Sequence, residues 1–464
     1  MSGVTRELAE LVCAVDAEDL PPATTQRARL HVLDTIGVAL AGRASEPGRI
    51  ISRVVASFGG SGPARLIGGG PGLSLPMAAW ANGAFAHVLD FDDTGFAHPT
   101  ATVLPAMLAV GERVGSSGRD VLAGLVIGSE VCHGLAATCG PYESLLRSRG
   151  YQPSALYTCA GATVAVGTLL RLDVTQMATA IGIALADAGG LSEQFGTWSK
   201  GLHAGNAARS GVVAALLAAD GYWGTTEILE GRYGFFQQLF GDEPVDVGPL
   251  VDGFGAPWAI IEPGVNLKPY PACGRAMRGI EAGLRLHDRL PTHPEDIERV
   301  GIDVHPDYRH LLPYRAPTIG FQGKFSLDYC VASALLDGKV GLDSFTDRAA
   351  QREPFRRLLD RTTVTAHADW RAERVRETIV VVELKDGTTH TEQVNVARGE
   401  AANRMSEVEI ERKFAHCAMA AGLDEAAIAR ALHELARLPE LSSLSPVVDA
   451  LDMTPRDSGV THVG

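Results

Sequence analysis

The sequence predicts a mainly α protein with an α+β second domain: a large helical domain formed by both chain ends, and a smaller α+β domain between them. Three observations carry this. Of 464 residues, 46% are hydrophobic but only 6% aromatic, while Gly reaches 52 and Ala is abundant. Small side chains let helices approach closely, which favours helix-on-helix packing over a β-sandwich. Helical patterning then dominates residues 1–265, strand alternation enters within 266–399, and helix returns over 400–464.

The elements follow in order. The N-terminus is a charged amphipathic start, with Leu8, Leu11, Val12 and Val15 on one face. Pro22 to Gly42 reads as a helix ending in small residues. Leu75-Pro76 opens the next, with Pro in the first turn where its missing N–H costs nothing, and the pattern runs to the Asp90 region. Asp120 to Thr138, Ser154 to Leu170, Thr175 to Ala188 and His203 to Ala219 continue the series between Gly-rich breaks. Gly68 to Gly72 lacks the spacing of a nucleotide-binding loop and reads as a turn. Later, Val300, Ile302 and Val304 alternate with Gly301 and Asp303, a strand signal. Thr378–Leu384 is β-branched and apolar, and Asp386-Gly387 supplies a hairpin turn returning through Thr388–Val394. Helical stretches near Arg278–Asp288 and Ser326–Leu336 lie between the strands. Ser406 to Glu409 forms a capping box before Ile410, Phe414 and Cys417, so the C-terminal helices are expected to rejoin the first domain. From Asp449 on, a flexible tail is expected.

Composition narrows the function. Net charge is −14, which argues against a nucleic-acid partner, since a phosphate-backbone binder carries a basic face. A few local cations could still dominate one cleft. Seven scattered cysteines without a C-x-x-C pair fit reduced thiols in a cytoplasmic protein and give no ligand set for an iron–sulfur cluster. No apolar run approaches the roughly 20 residues of a membrane helix, so no membrane partner is expected.

Three polar clusters could carry chemistry. The densest runs from His87 through Asp90, Asp92 and Asp93 to His98-Pro99. His87 and Asp90 share a face if the helix persists that far, and carboxylates beside an imidazole set its tautomer for acid–base work. The same residues also suit a solvated acidic loop, or a divalent-ion site. In the second cluster, Lys200 and His203 precede an apolar helix, where free N–H groups favour anions; an ordinary loop reads equally well. The third, at the domain junction, holds Lys268, Tyr270, Cys273 and Arg275. Its donors could close over a substrate, or it could be a linker. Cys273 has no histidine beside it to serve as base.

Together these pieces resemble the MmgE/PrpD family. The resemblance rests on Asp34 to Gly42, Asn82-Gly83 with His87 to Asp93, His98-Pro99, Lys200 to Gly205, and Leu229 to Gly231 with Tyr233 to Phe235. It continues through Lys268 to Cys273, Phe325 to Tyr329 and Gly399. It implies a helical domain built from both ends, an α+β lid, a homodimer, an active site between the domains, and no metal or other cofactor. Asp90, His98, Lys200 and His203 then look like active-site residues, with Lys268 and Tyr270 nearby; with Arg275 from the junction cluster, these two are the substrate-binding candidates there. Two departures stand out. Gln152, in Gly150-Tyr151-Gln152-Pro153-Ser154, replaces a family histidine, and Gly274 and Met277 stand where another is often found. Gln cannot titrate, so Tyr151 and Gln152 are carried as substrate-binding candidates.

The expected chemistry is proton abstraction next to a carboxylate of a small di- or tricarboxylic acid. Lys200 and His203 would stabilise the enediolate, and Asp90 would orient His98 for proton transfer. A lyase (dehydratase or decarboxylase) is the first reading. An isomerase or epimerase is the second, favoured by the missing histidines, and a non-catalytic carboxylate-binding protein is the third.

Overall fold

The structure is a computed structural model that describes residues 3–58, 61–290, 296–371, 374–375 and 377–453, with the backbone alone at 153 and 154. Its longer helices are α1 (Val4–Cys13), α2 (Pro22–Ala44), α3 (Glu46–Ser57), α4 (Leu75–His87), α5 (Pro99–Val114), α6 (Gly118–Cys139), α7 (Pro153–Leu169), α8 (Val174–Ala186) and α9 (Leu202–Ala219). After the junction come α10 (Met277–Arg289), α11 (Leu327–Asp337) and α12 (Glu353–Asp360), then α13 (Glu407–Ala420) and α14 (Glu425–Ala436).

Small residues bring the helices together. A Cβ added to Gly83 on α4 would stand 2.9 Å from Gly205 Cα on α9, and one on Gly128 of α6 would meet the Gly161 carbonyl of α7 at 2.7 Å. Backbones this close leave no room for a side chain, so the low aromatic content and tight packing are one property. One hydrophobic core joins residues from 4–267 with residues from 405–451, and α13 lies along α2. Ser406 caps α13 by the reciprocal bonds with Glu409 that its sequence predicts.

A second core draws on residues 272–397. Its sheet has the order β2–β1–β3–β4, where β1 is Ile297–Val304, β2 Thr362–Ala366, β3 Thr378–Leu384 and β4 Thr389–Val394. β1 pairs β2 in parallel and β3 antiparallel, and β3–β4 is the expected hairpin, with Gly387 at φ 85° in its turn. Val300, Ile302 and Val304 are buried, as are Val380, Val382 and Leu384, and α10 packs on this sheet and on α11.

Several features differ from the sequence expectations. Helix α5 is absent from the predicted series, because Pro99 and Pro105 disguise it; Pro99 sits at its start and Pro105 is tolerated inside. Strand β2 is also missing from it. Gly118–Ser148 is long and apolar enough to cross a membrane, although no such run was expected; 83% of its most apolar stretch is buried in the fold, as in a core helix. The start of the expected tail is structured. Asp449 lies in the helix Ser445–Ala450 and pairs with Arg65, and the Met453 N–H donates to the Gly68 carbonyl at 3.1 Å. Residues 454–464 lie outside the described residues.

Candidate active site

Helix α4 stops at His87, and the chain turns sharply: the Asp90 N–H donates to the His87 carbonyl, and Asp90 takes a left-handed φ of 52°. Such a conformation costs energy for a residue other than Gly, and here two cations hold it. Lys200, from the short turn before α9, stands 2.7 Å from Asp90 Oδ1; Lys268, from the junction, stands 3.3 Å from the same oxygen. Burial acts to raise the Asp90 pKa, but the two ammonium groups override it and hold the carboxyl well below its ordinary range.

The next carboxylate serves the imidazoles. Asp92 Oδ2 lies 3.0 Å from His87 Nδ1 and 2.9 Å from His98 Nδ1. His98 Nδ1 also faces the Asp93 carbonyl at 2.6 Å. Both its partners are acceptors, so Nδ1 carries the proton and Nε2 keeps its lone pair. His87 uses both nitrogens, since its Nε2 receives Lys200 Nζ at 2.9 Å. Burial is the main reason its pKa falls to about 3, so the ring stays neutral. Burial works against ionised Asp92 as well, but His87, His98 and Lys268 prevail and hold it well below the usual carboxylate range.

The expected pairing of Asp90 with His98 is therefore replaced by Asp92 with His98. The i, i+3 geometry that suggested a role for Asp90 beside the imidazoles fails because the helix ends at His87. Asp92 and His87, which belonged to the dense polar run but were not among the named site candidates, stand in contact with His98 and Lys200.

Asp93, pushed up to about 6 by burial and then by Asp92, caps α5 by accepting from the Thr100 N–H at 3.1 Å. His87, Asp92 and His98 offer ligand atoms within 4.8 Å of one another, a spacing that could hold a divalent ion. Both Nδ1 protons are committed to Asp92, however, and a cation there would stand beside the Lys200 ammonium.

Part of this cluster borders a cavity of about 390 Å³. Asp90, His98, Lys200, Lys268, Gln152 and Arg275 all line it. Phe195 and Phe325 flank Lys200, with its Nζ 5.8 and 5.7 Å from the ring centroids. Segments from both sides meet around it: Tyr314, between Leu312 and Ala316 of the second core, donates its Oη to the Phe195 carbonyl at 2.9 Å, while Thr94 and Asn266 exchange backbone bonds on the helical side. Gly399 accepts from the Leu267 N–H, and a Cβ there would lie 2.0 Å from the Leu267 carbonyl oxygen, so only Gly fits.

His203 stands one layer back, its Nδ1 2.7 Å from Gln152 Oε1. Tyr151 and Tyr270 do not line the cavity. Tyr151 makes a β-bridge with Leu191 and packs on the helical core, while Tyr270 packs on the second core. Cys273 lines the cavity with its thiol raised, first by burial and then by Asp90, which opposes a thiolate nucleophile.

Fold and cavity define a helical scaffold whose α+β part meets it around a charged acid–base site. The chain belongs to the MmgE/PrpD family: residues 6–248 match its N-terminal domain and residues 270–436 its C-terminal domain. It is 28% identical to cis-aconitate decarboxylase of Aspergillus terreus, over 97% of this chain and 96% of that protein. The mouse cis-aconitate decarboxylase is 28% identical over 89% of this chain and 86% of its own length. For the human one the values are 27%, 89% and 87%.

Proposed function

We propose that this protein is an acid–base lyase for a small di- or tricarboxylic acid of the aconitate or citrate type. The observation that carries the reading is His98, held from behind by buried Asp92, lining the same cavity as Lys200 and Lys268. Taking a proton from carbon next to a carboxylate builds a second negative charge, and placed cations lower that barrier, a single donor contributing about 3–4 kcal/mol. His98 Nε2 is positioned to exchange the proton, with Asp92 fixing the ring. Lys200 and Lys268 supply positive charge, and Arg275, which bonds only to a backbone carbonyl among the contacts described, suits a distal carboxylate. Loss of water completes a dehydration, the hydroxide leaving with a proton; a decarboxylation instead delivers a proton to carbon as the C–C bond to the departing CO2 breaks, with protonated His98 as its donor.

Gln152 favours a second reading. An amide is not a proton donor to a departing hydroxide, so an isomerase or epimerase would return the proton to carbon instead. The deciding experiment incubates the enzyme with cis-aconitate, citrate and 2-methylcitrate in D2O and follows products by NMR. New alkene or decarboxylated product supports the lyase; deuterium next to a carboxylate without it supports the isomerase. No exchange and no product with any di- or tricarboxylate would overturn both.

A further inference from the structure

A second, much smaller cavity adjoins the first, and His98 and Gln152 border both. His87, Thr102, Thr158 and His203 are its other polar lining residues. Its space open to a water centre is about 10 Å³, close to the 10–15 Å³ or so that one buried water needs. Much of its lining is apolar, but the polar side chains that border it can supply the two to four partners one water needs.

Thr102 supplies an independent observation. It lies on α5 and is 1% exposed, and its hydroxyl has no hydrogen-bond partner in the protein. A helical threonine can bond back to the carbonyl four residues earlier, but this one does not. Buried hydroxyls are nearly always paired with protein or with ordered water.

The rings around the void are differently committed. His87 has both nitrogens engaged. His98 carries its proton on Nδ1 and keeps Nε2 for exchange. His203 is held at Nδ1 by Gln152 Oε1, which accepts, so its Nε2 also keeps its lone pair.

We propose that this void binds one water, anchored by the Thr102 hydroxyl, that passes a proton between His98 Nε2 and His203 Nε2. The proposal rests on the acid–base reading given above. After His98 has taken the substrate proton, it gives that proton to the water oxygen while the water gives one of its own to His203. His98 returns to neutral, His203 becomes the imidazolium with Nδ1–H still on Gln152, and no atom is gained or lost. The reverse transfer restores the proton for product or solvent. Burial, and then Lys200, lower the His203 pKa to about 4, so the imidazolium there is a short-lived, uphill state that gives its proton back. In this scheme Gln152 sets the tautomer of the second station.

Two variants test it: Thr102→Val, equal in shape without the hydroxyl, and Thr102→Ser, which keeps the hydroxyl. High-resolution crystal structures of the wild type and Thr102→Ser should show a solvent peak within hydrogen-bond distance of the residue 102 hydroxyl and a ring nitrogen; Thr102→Val should lack it. A wild-type void without a peak, or a peak that survives in Thr102→Val, overturns the water site whether or not any acid is turned over. With cis-aconitate or citrate as the acid, Thr102→Val should lower turnover or deuterium exchange about 10²-fold, the low end for a positioned acid–base group. KM should be unchanged, and Thr102→Ser should keep the wild-type rate. Wild-type exchange in a Thr102→Val protein that has lost the water overturns the relay.

Discussion

Lys268, 178 residues beyond Asp90 in the chain, stands 3.3 Å from Asp90 Oδ1 and donates to that residue's own carbonyl at 3.0 Å. One ammonium thus holds both the side chain and the backbone of a residue in the left-handed region. Lys268→Met should destabilise the protein by about 3–5 kcal/mol, the range for removing one partner of a buried pair. It should also lower kcat/KM by about 10²–10³-fold. Urea unfolding and steady-state kinetics check the two effects; unchanged stability would show that Lys200 alone holds Asp90.

His98→Asn should keep the fold and lower kcat by about 10²–10⁴-fold, because an amide can fill much of the space but cannot exchange a proton. Circular dichroism and kinetics on the acid identified by NMR measure this. A variant within a few-fold of wild type would remove His98 from the proton-transfer role.

Cys273→Ala should retain activity within a few-fold. The thiol lines the cavity but is raised by burial and by Asp90, so it is protonated near neutral pH. Iodoacetamide should likewise modify it slowly, measured by mass spectrometry. Loss of turnover in Cys273→Ala, or rapid alkylation with inactivation, would restore a nucleophilic role.

Stability should fall as pH drops from about 6 to about 4. His31, His87 and His203 are held below the ordinary imidazole value, with burial the leading cause in each: His87 to about 3 and His203 to about 4. Unfolding lets all three take up protons near pH 6.5. Asp34 and Asp93 act in the opposite sense. Burial pushes each up to about 6, so the fold keeps two protons that the unfolded chain releases near pH 3.9. Among these groups the unfolded state therefore binds one more proton than the fold in that window, and stability rises with pH across it. His87→Gln removes one of the three imidazoles and should flatten the dependence. Urea titrations at several pH values read the slope; an equal slope in the variant would show that His87 takes up no proton on unfolding.

How much of this was readable in the sequence depends on whether the signal was local. The β3–β4 hairpin declares itself through alternation and Asp386-Gly387, and the α13 cap through Ser406 and Glu409. Strand β2 has five residues, and its partner β1 lies some sixty residues earlier, in parallel, so little in Thr362–Ala366 marks it. The run from His87 to His98 stood out because polar residues are dense there within apolar helical sequence. Which carboxylate serves His98 was hidden, since that depends on where α4 stops and on Asp90 turning left-handed. Lys413 was hidden altogether: its burial beside Ile410 and Phe414 makes sense only once Asp34 is opposite.

That last contact also has a place in time. Lys413 Nζ lies 2.7 Å from Asp34 Oδ1 and donates to the Phe91 carbonyl at 2.8 Å, inside the stretch that carries Asp90 and Asp92. It follows Asp34 by 379 residues, so at about 5–20 residues per second a ribosome needs roughly 20–75 s to make the second partner after the first. Through that interval the nascent chain holds Asp34 without its cation and the loop of Asp90 and Asp92 without this clamp. The loop is therefore clamped from this side only once α13 has been made and has packed along α2.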